Sequence, residues 1–282
     1  MLPTKTATTR SLWLIACVLV LAGCSSSHSA SGRPPASALN LVGEWNVSAT
    51  GAEANTVLLL GDDLEVWTSC GVLYANWAAD TAGQFAAIMY SASDECFPPS
   101  GSNSDMLLPT WLAHTTSFMV TGSSAFLLDA DRQPLARLSR TSTPLGDTTA
   151  IPAGPYPPVP DAKLTARLSP PSALPADVRP ANGSDLIGRW SPAQPGANPK
   201  SYLSFAADGT WQSYDGCNPG GGPWRDTGGQ LVAAAGAVAG VGCDNMTDLT
   251  QPLLNAAQVA FTGNGTLELF DTQGSVLAKL RR

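Results

Sequence analysis

Two stretches of the chain repeat one cysteine and tryptophan spacing, and this constrains the fold more than any other feature. In each stretch a cysteine is followed seven residues later by a tryptophan and twenty-six residues later by another cysteine: Cys70, Trp77 and Cys96, then Cys217, Trp224 and Cys243. Each copy opens with Gly-x-Trp, at 43–45 and 188–190, and closes with Leu-Ala-basic-Leu, at 135–138 and 277–280. The chain therefore contains an internal repeat that kept packing and cross-linking residues.

The first 23 residues are typical of an export signal. Lys5 and Arg10 make its start positive, and the apolar run at 12–21 is shorter than a membrane-spanning helix requires. The run ends in Leu21-Ala22-Gly23-Cys24, which resembles the lipobox of bacterial lipoproteins. The resemblance implies that the signal, 1–23, is removed and that Cys24 carries acyl chains such as palmitate. An ordinary signal peptide with an incidental cysteine is the alternative.

Lipidation at Cys24 predicts an extracytoplasmic protein anchored to the bacterial cell membrane, because two or more acyl chains hold a protein stably where one does not. The segment 24–38 is rich in Ser, Ala and Pro and reads as a solvated tether. The chain has 15 basic and 22 acidic residues, and the predicted signal removes two of the basic ones. An acidic chain of this kind excludes nucleic acid as an expected partner.

Export also accounts for the cysteines. Cys17 leaves with the signal and Cys24 takes the lipid, so one matching pair remains in each copy. We expect two disulfides, Cys70–Cys96 and Cys217–Cys243. Of the three possible pairings, only this one makes each copy self-contained, and an oxidising compartment favours it. A cysteine-ligated metal site is the alternative; the chain lacks any CxxC motif, and we expect no metal and no cofactor.

A proline-rich stretch separates the copies. Ten prolines fall within 140–184, a composition that disfavours a helix or central strand and favours an extended linker. We therefore predict a first domain at 39–139, a linker at 140–184 and a second domain at 185–282. Within the linker, 163–168 alternates enough to be a short edge strand packed on the first domain.

Each copy is predicted to be a small antiparallel β domain, in a fold that is mainly β (α+β). Asp208-Gly209 between two alternating runs indicates a hairpin, and 266–280 reads as a closing hairpin with its turn at 271–274. Each copy of about 100 residues is long enough to bury its own core.

One short helix is expected in each copy. In the second, 246–260 has apolar residues at helical spacing, Thr247 or Asp248 placed to cap it, and Pro252 in its first turn. A weaker counterpart spans 105–113.

The second copy resembles the META/HslJ domain over 185–282. The resemblance is carried by the following residues in order: Leu186-Ile187-Gly188-Arg189-Trp190, Phe205 before Asp208-Gly209, Gly216-Cys217-Asn218, Trp224, and Cys243 before a helix. The first copy looks like a divergent member, with Thr68-Ser69-Cys70-Gly71 where the family has Gly-Cys-Asn. The resemblance implies a β-rich domain of bacterial envelope proteins, linked to stress and antibiotic tolerance, without an agreed enzymatic activity.

Few residues suggest catalysis. A nucleophilic triad would have to use His114, which the second copy lacks, and the carboxylates of Asp62, Asp63 and Glu65 permit a two-carboxylate hydrolase. These acids, and the pair Asp94-Glu95, are interpreted as solvated turn residues instead. No catalytic residue is assigned.

Aromatic residues near the glycine-rich turn are the remaining candidates for a ligand site. Trp77, Trp224, Tyr214 and Asn218 could form a platform for a sugar or a peptide. Burial in the core is the competing interpretation, and it is favoured for Trp45 and Trp190. We therefore expect a non-enzymatic lipoprotein that binds an envelope protein or a glycan, or serves envelope stress or maintenance. An inhibitor of a secreted lysozyme-like enzyme or protease is the alternative, and a carboxylate-dependent hydrolase the least favoured.

Overall fold

The fold consists of two antiparallel sheets that repeat one strand order. A computed structural model describes residues 37–96, 108–140, 158–237 and 240–282. The predicted signal, Cys24 and the tether up to Ala36 lie outside the described residues. Those described all fall within one compact unit.

The first sheet is a half-barrel of eight strands in the order β5-β4-β3-β2-β1-β8-β7-β6. Its strands are β1 Gly43–Ala49, β2 Val57–Leu60, β3 Leu64–Thr68, β4 Gly71–Ala79, β5 Phe85–Ala92, β6 Ser117–Thr121, β7 Ser124–Leu128 and β8 Pro134–Arg140. A short 3-10 helix, Ala38–Leu41, precedes β1, and a second, Asp94–Cys96, follows β5.

The second sheet is a closed barrel of eight strands with one further strand at its edge. Its strands are β9 Val178–Pro180, β10 Gly188–Pro192, β11 Tyr202–Phe205, β12 Thr210–Tyr214, β13 Pro219–Thr227, β14 Gln230–Ala233, β15 Gln258–Thr262, β16 Leu267–Phe270 and β17 Val276–Arg281. The strands lie in the order β14-β13-β12-β11-β10-β17-β16-β15-β9. The first eight repeat the order of the half-barrel, and β14 pairs with β15 to close the ring. The predicted fold class, mainly β with two tandem antiparallel units, is confirmed.

Four short α-helices accompany the strands in the described residues: α1 Thr110–Ala113, α2 Ala162–Leu168, α3 Gly183–Leu186 and α4 Thr250–Leu254. None of these described helices has the length and apolar character needed to cross a bilayer.

The same tryptophan contact begins each core. Trp45 and Trp190 are buried, and each indole Nε1 donates to the carbonyl four residues earlier, Leu41 O or Leu186 O, at 2.7 Å in both copies. These tryptophans occupy the core, as predicted. The bond fixes the approach of the chain to β1 in the first copy and to β10 in the second, so the two copies enter these strands in the same way.

An arginine after the last core leucine completes that contact in both copies. The Arg140 guanidinium lies 4.0 Å from the Trp45 ring centre and donates to Val42 O and Asn40 O, both at 2.8 Å. Arg282 lies 4.8 Å from the Trp190 ring centre and donates to Asp185 O and Ile187 O. Each arginine therefore joins the end of its copy to the beginning.

The two predicted disulfides are present. Cys70–Cys96 and Cys217–Cys243 each close the same interval, local to one copy. In the half-barrel the bridge joins the turn before β4 to the 3-10 helix after β5. Each copy is therefore covalently self-contained, as the repeat predicted.

The predicted strand at 163–168 is wrong, because this segment is the helix α2. No proline falls between Pro160 and Pro170, and Asp161 caps the helix by accepting from Leu164 N at 2.7 Å. Leu164 and Leu168 lie on one helical face and are buried in the core of the half-barrel, so the predicted packing against the first copy is correct.

The predicted helix at 246–260 is shorter in the structure. α4 ends at Leu254, and 258–262 is the strand β15, whose Val259 fills the barrel core. Sheet pairing outweighs the helical spacing here. Asp248 does accept from Thr250 N, at 2.8 Å, as a capping residue would. In the first copy α1 covers only 110–113, and 105–107 lie outside the described residues.

The predicted hairpins are present. Asp208-Gly209 lies in the turn between β11 and β12, and 271–274 lies in the turn between β16 and β17.

The two sheets contact each other through β4 and β5 of the half-barrel and β13 and β14 of the closed barrel. Ala86, Val232 and Ala234 form a small buried cluster there, with Ala78 and Ile88 packed against it. Asn76 Nδ2 donates to Ala235 O at 2.7 Å, and Thr81 Oγ1 contacts Gln230 Oε1 at 3.2 Å. The contact therefore has an apolar centre flanked by amide hydrogen bonds.

Candidate functional site

The tryptophans that follow the first cysteine of each pair are core residues. Trp77 is 2% exposed and Trp224 is 5% exposed. Trp77 Nε1 donates to Gly61 O in the turn after β2, and Trp224 Nε1 donates to Thr210 O at the start of β12, at 2.9 Å in both copies. The core interpretation therefore describes their placement, since neither ring offers solvent a free face for stacking.

Tyr214 and Asn218 lie apart from those indoles, in the second copy. The Tyr214 ring is 6.2 Å from that of Tyr202. The Asn218 side chain accepts from Val241 N and donates to Val241 O, both at 2.9 Å, while Asp215 accepts from Asn218 N at 2.6 Å. Asn218 thus holds the loop before Cys243 in place. The four predicted platform residues do not form one surface.

Two clefts flank the contact between the sheets, and each is lined by one of the repeated tryptophans. The first cleft, of ≈ 390 Å³, lies between the end of β4, α2, β14 and α4. The residues on which its properties depend are Asn76, Trp77, Arg167, Ala233, Ala235 and Gln251. The second cleft, of ≈ 770 Å³, includes Gln84, Asp129, Arg132, Trp224, Arg225 and Asp226.

Arg167 is the most distinctive group in the first cleft. Helix α2 carries its guanidinium to 5.5 Å from the Trp77 ring centre, where it donates weakly to Asp62 O at 3.4 Å. Burial lowers the pKa of Arg167, and three nearby carboxylates partly offset this, those of Asp62, Asp63 and Asp161. The Arg167 Nε atom is buried and has no hydrogen-bond partner among the described residues.

Arg225 occupies a comparable position in the second cleft. Its Nη1 atom donates to Trp224 O at 2.6 Å and Gly209 O at 3.1 Å, while its Nε is buried without a partner in the described part of the chain. Burial lowers the pKa of Arg225 and raises the pKa of the adjacent Asp226. Each cleft therefore contains a desolvated guanidinium with an unused donor.

The turn after β4 lies between the two clefts, with Asp80 lining the first and Gln84 lining the second. The Asp80 carboxylate accepts from the backbone N–H of Gln84 at 2.8 Å and from the Gln84 side chain, whose Nε2 also approaches Gln230 O. Burial raises the pKa of Asp80, against the opposing effect of these hydrogen bonds. Asp80 therefore orders the turn that contacts the closed barrel.

The carboxylates considered for hydrolysis have local partners. Glu65 Oε2 accepts from Trp67 Nε1 at 2.9 Å, and burial raises the pKa of Glu65. Burial, followed by the charge of Asp63, raises the pKa of Tyr90, so Asp63 and Glu65 lie near one phenol. His114 is exposed at the end of α1, and its side chain bonds to no described residue.

Asp94 and Glu95 are exposed in the 3-10 helix before Cys96, consistent with solvated positions. Within residues 37–96, 108–140, 158–237 and 240–282, no group of three histidine, cysteine or acidic residues is arranged to hold a metal ion.

Sequence reasoning missed the arginines. Arg140 and Arg282 follow the same Leu-Ala-basic-Leu motif by two residues, so alignment of the copies would have found that pair. Arg167 lies in the segment 163–168, which was predicted to pack on the first copy as a strand, so the helix that places its guanidinium beside Trp77 was missed.

The chain matches no protein-family model, no curated protein and no solved structure. Its resemblance to META/HslJ domains stays a prediction.

Proposed function

We propose that the protein is a lipid-anchored lipoprotein on the outer side of the bacterial cell membrane, with tandem META/HslJ-like domains. In this proposal it is a non-enzymatic module that binds an envelope protein or glycan and serves envelope maintenance or stress. The lipobox-like sequence at Cys24 supports the anchor. The clefts beside the repeated tryptophans support binding.

The observation that carries the binding role is the buried, unpartnered Nε of Arg167 and of Arg225. A buried donor without an acceptor costs free energy, more so on a charged group, so a ligand that supplies the acceptor recovers that cost.

The anchor is tested by mass spectrometry of the mature amino terminus. We expect a chain that begins at Cys24 with a diacylglyceryl thioether, and retention of the protein in the membrane fraction. A Cys24→Ser variant should lose the modification and leave the membrane. An unmodified, freely secreted wild-type chain would contradict the proposal.

The binding role is tested by cross-linking in cells followed by capture of the full chain. We expect an envelope protein or glycan to be captured by the wild type and lost in a double variant, Arg167→Gln with Arg225→Gln. Arg137→Gln is the matched control, since Arg137 is exposed on β8 away from both clefts. Equal capture by all three proteins, or hydrolysis of a peptidoglycan or peptide substrate, would argue against a binding module.

Inhibition of a secreted hydrolase is the second candidate, and one surface feature favours it. Val241 and Met246 are 60% and 43% exposed on the loop that Cys217–Cys243 and Asn218 hold in place. Exposed apolar side chains on a constrained loop suit insertion into an enzyme cleft. Inhibition assays against lysozyme-like enzymes and proteases, with Met246→Ser as the comparison variant, test this; the absence of inhibition removes it.

A further inference from the structure

One strand edge of the closed barrel, at 233–235 beyond the point where β14 pairs with β15, lines the first cleft. Ala234 N donates to Pro223 O at 3.1 Å and Gly236 N donates to Gly221 O at 3.0 Å, so these amides face β13. Successive N–H groups along an extended strand point to opposite sides. The N–H groups of Ala233 and Ala235 therefore point away from β13.

Two neighbouring contacts identify the side that they face. Leu231 N, which has the same alternation, donates to Ala257 O at 3.0 Å beside α4. Ala235 O accepts from Asn76 Nδ2 of β4 at 2.7 Å. Ala257 and Asn76 both line the first cleft. The backbone N–H and C=O groups of Ala233 and Ala235, which point to the same side, therefore face this cleft.

The N–H groups of Ala233 and Ala235 have no hydrogen-bond acceptor among the described residues. Each residue is 4% exposed. Buried backbone amides are nearly always paired, because an unpaired one costs about as much as a lost hydrogen bond. The cleft therefore presents two unused donors at the spacing of a strand edge, together with the carbonyl of Ala233.

Two basic side chains of α2 line the same cleft. The Arg167 Nε has no partner in the described chain, and Lys163, one helical turn earlier on α2, also lines the cleft. A guanidinium suits a carboxylate because its N–H groups match two oxygens. Small apolar side chains also line the cleft, Ala78, Ala79, Ala234, Ala256 and Ala257, together with the carboxylates of Asp62, Asp63 and Asp80.

We propose that the first cleft binds an extended peptide with small side chains and a free carboxylate. The peptide backbone pairs with the edge at Ala233 and Ala235, as added strands do in β-augmentation, and its carboxylate binds Arg167. This inference rests on the proposed binding function and names its ligand class. The alternation of N–H and C=O groups along one edge favours a peptide over a saccharide, which has no such repeat.

The probe is acetyl-tetraalanine with a free carboxylate, titrated calorimetrically into the purified full-length protein. Three comparison probes isolate its parts: the same peptide as its carboxyl-terminal amide, the same peptide with methylated backbone nitrogens, and a neutral trisaccharide, chitotriose. We expect the free acid to bind, and the amide and the methylated peptide to bind at least about tenfold more weakly.

Two variants locate the binding. Ala233→Pro removes an N–H that faces the cleft, and leaves the ladder to β13 intact because Ala234 N makes that bond. Arg167→Gln removes the charge. We expect each to weaken binding of the free acid by at least about tenfold, with Arg167→Gln also abolishing its advantage over the amide. Arg137→Gln should bind as the wild type does, and circular dichroism should show each variant folded.

Equal binding of the acid and the amide, preference for chitotriose, or no binding of tetraalanine would overturn the peptide inference. If capture from cells still depends on Arg167 and Arg225, the proposed binding function survives that result and only the ligand class is wrong. If tetraalanine does not bind and capture from cells does not depend on Arg167 and Arg225, both proposals are wrong.

Discussion

The half-barrel and the closed barrel have similar interior packing but differ at the seam, the junction between the two outer strands of each copy: β5 and β6 in the half-barrel, β14 and β15 in the closed barrel. The eight shared strands have the same order. In each copy a tryptophan, on β1 or β10, donates to a leucine carbonyl and has an arginine over its ring, Arg140 or Arg282. The ring of the closed barrel is completed by β14–β15 pairing, and β9 extends the edge of β15. In the described part of the half-barrel, only the bridge Gln84–Ser117 joins β5 to β6.

The matching backbone bonds show how similar these seams are at one end. Phe118 N donates to Gly83 O and Val259 N donates to Gly229 O, both at 2.8 Å. Beyond this point the copies differ: β5 continues to Ala92, whereas β14 ends at Ala233. Interior packing therefore tolerated little change between the copies, and the seams, where the sheets meet and the clefts lie, changed more.

The largest effect should come from the shared tryptophans. Trp45→Ala and Trp190→Ala each remove a fully packed indole and its bond to a leucine carbonyl, so each should lower the free energy of unfolding by about 3 to 5 kcal/mol. Urea unfolding measures this. Trp45→Phe and Trp190→Phe isolate the hydrogen bond and should cost less. Losses that differ by more than about 2 kcal/mol between the copies would break the comparison.

A smaller loss in the free energy of unfolding is expected from the arginines at the end of each copy, Arg140 and Arg282. Arg140→Met and Arg282→Met keep the aliphatic stem but remove the charge over the indole and the bonds to two carbonyls, at a cost of about 1 to 2 kcal/mol each. Thermal unfolding at two salt concentrations measures it. Arg137→Met on β8 and Arg281→Met at the end of β17 are the exposed controls. Equal losses in controls and test variants would exclude a specific contact.

The smallest effect concerns pH and the seam of the half-barrel. Because burial raises the pKa of Asp80 in the folded protein, protonation favours folding. The contribution is complete below the ordinary aspartate pKa, about 3.9, and is lost as pH rises through the higher folded value. Asp80→Asn should remove this part of the pH dependence in urea titrations between pH 3 and pH 7. An unchanged pH profile in the variant would show that Asp80 does not titrate at the seam.

Much of the fold followed from local signals. Asp208-Gly209 indicated its hairpin because only a few residues suit such a turn, and the duplicated intervals indicated disulfides within each copy. The helix prediction at 246–260 overran because helical spacing is a local property, whereas the edge available to Val259 belongs to the assembled barrel. α2 was missed since proline counting over 140–184 averaged across a proline-free stretch that Asp161 caps.

The candidate site was far less predictable. Trp77 and Trp224 were singled out correctly as related residues, yet their burial and their separate clefts depend on how β4, β13 and the turns around them pack. Nothing near Arg167 in sequence identifies Trp77, ninety residues away, as the ring beside its guanidinium, or places Ala235 in the same cleft.

The sequence by itself determined the duplication, the β character and the local disulfide pairing, because repeated spacing, alternation and turn residues act over short distances along the chain. Tertiary structure alone decided which donors lack acceptors. That property depends on the mutual packing of two sheets and one linker helix, which brings together groups far apart in sequence and removes water from some of them without supplying a partner.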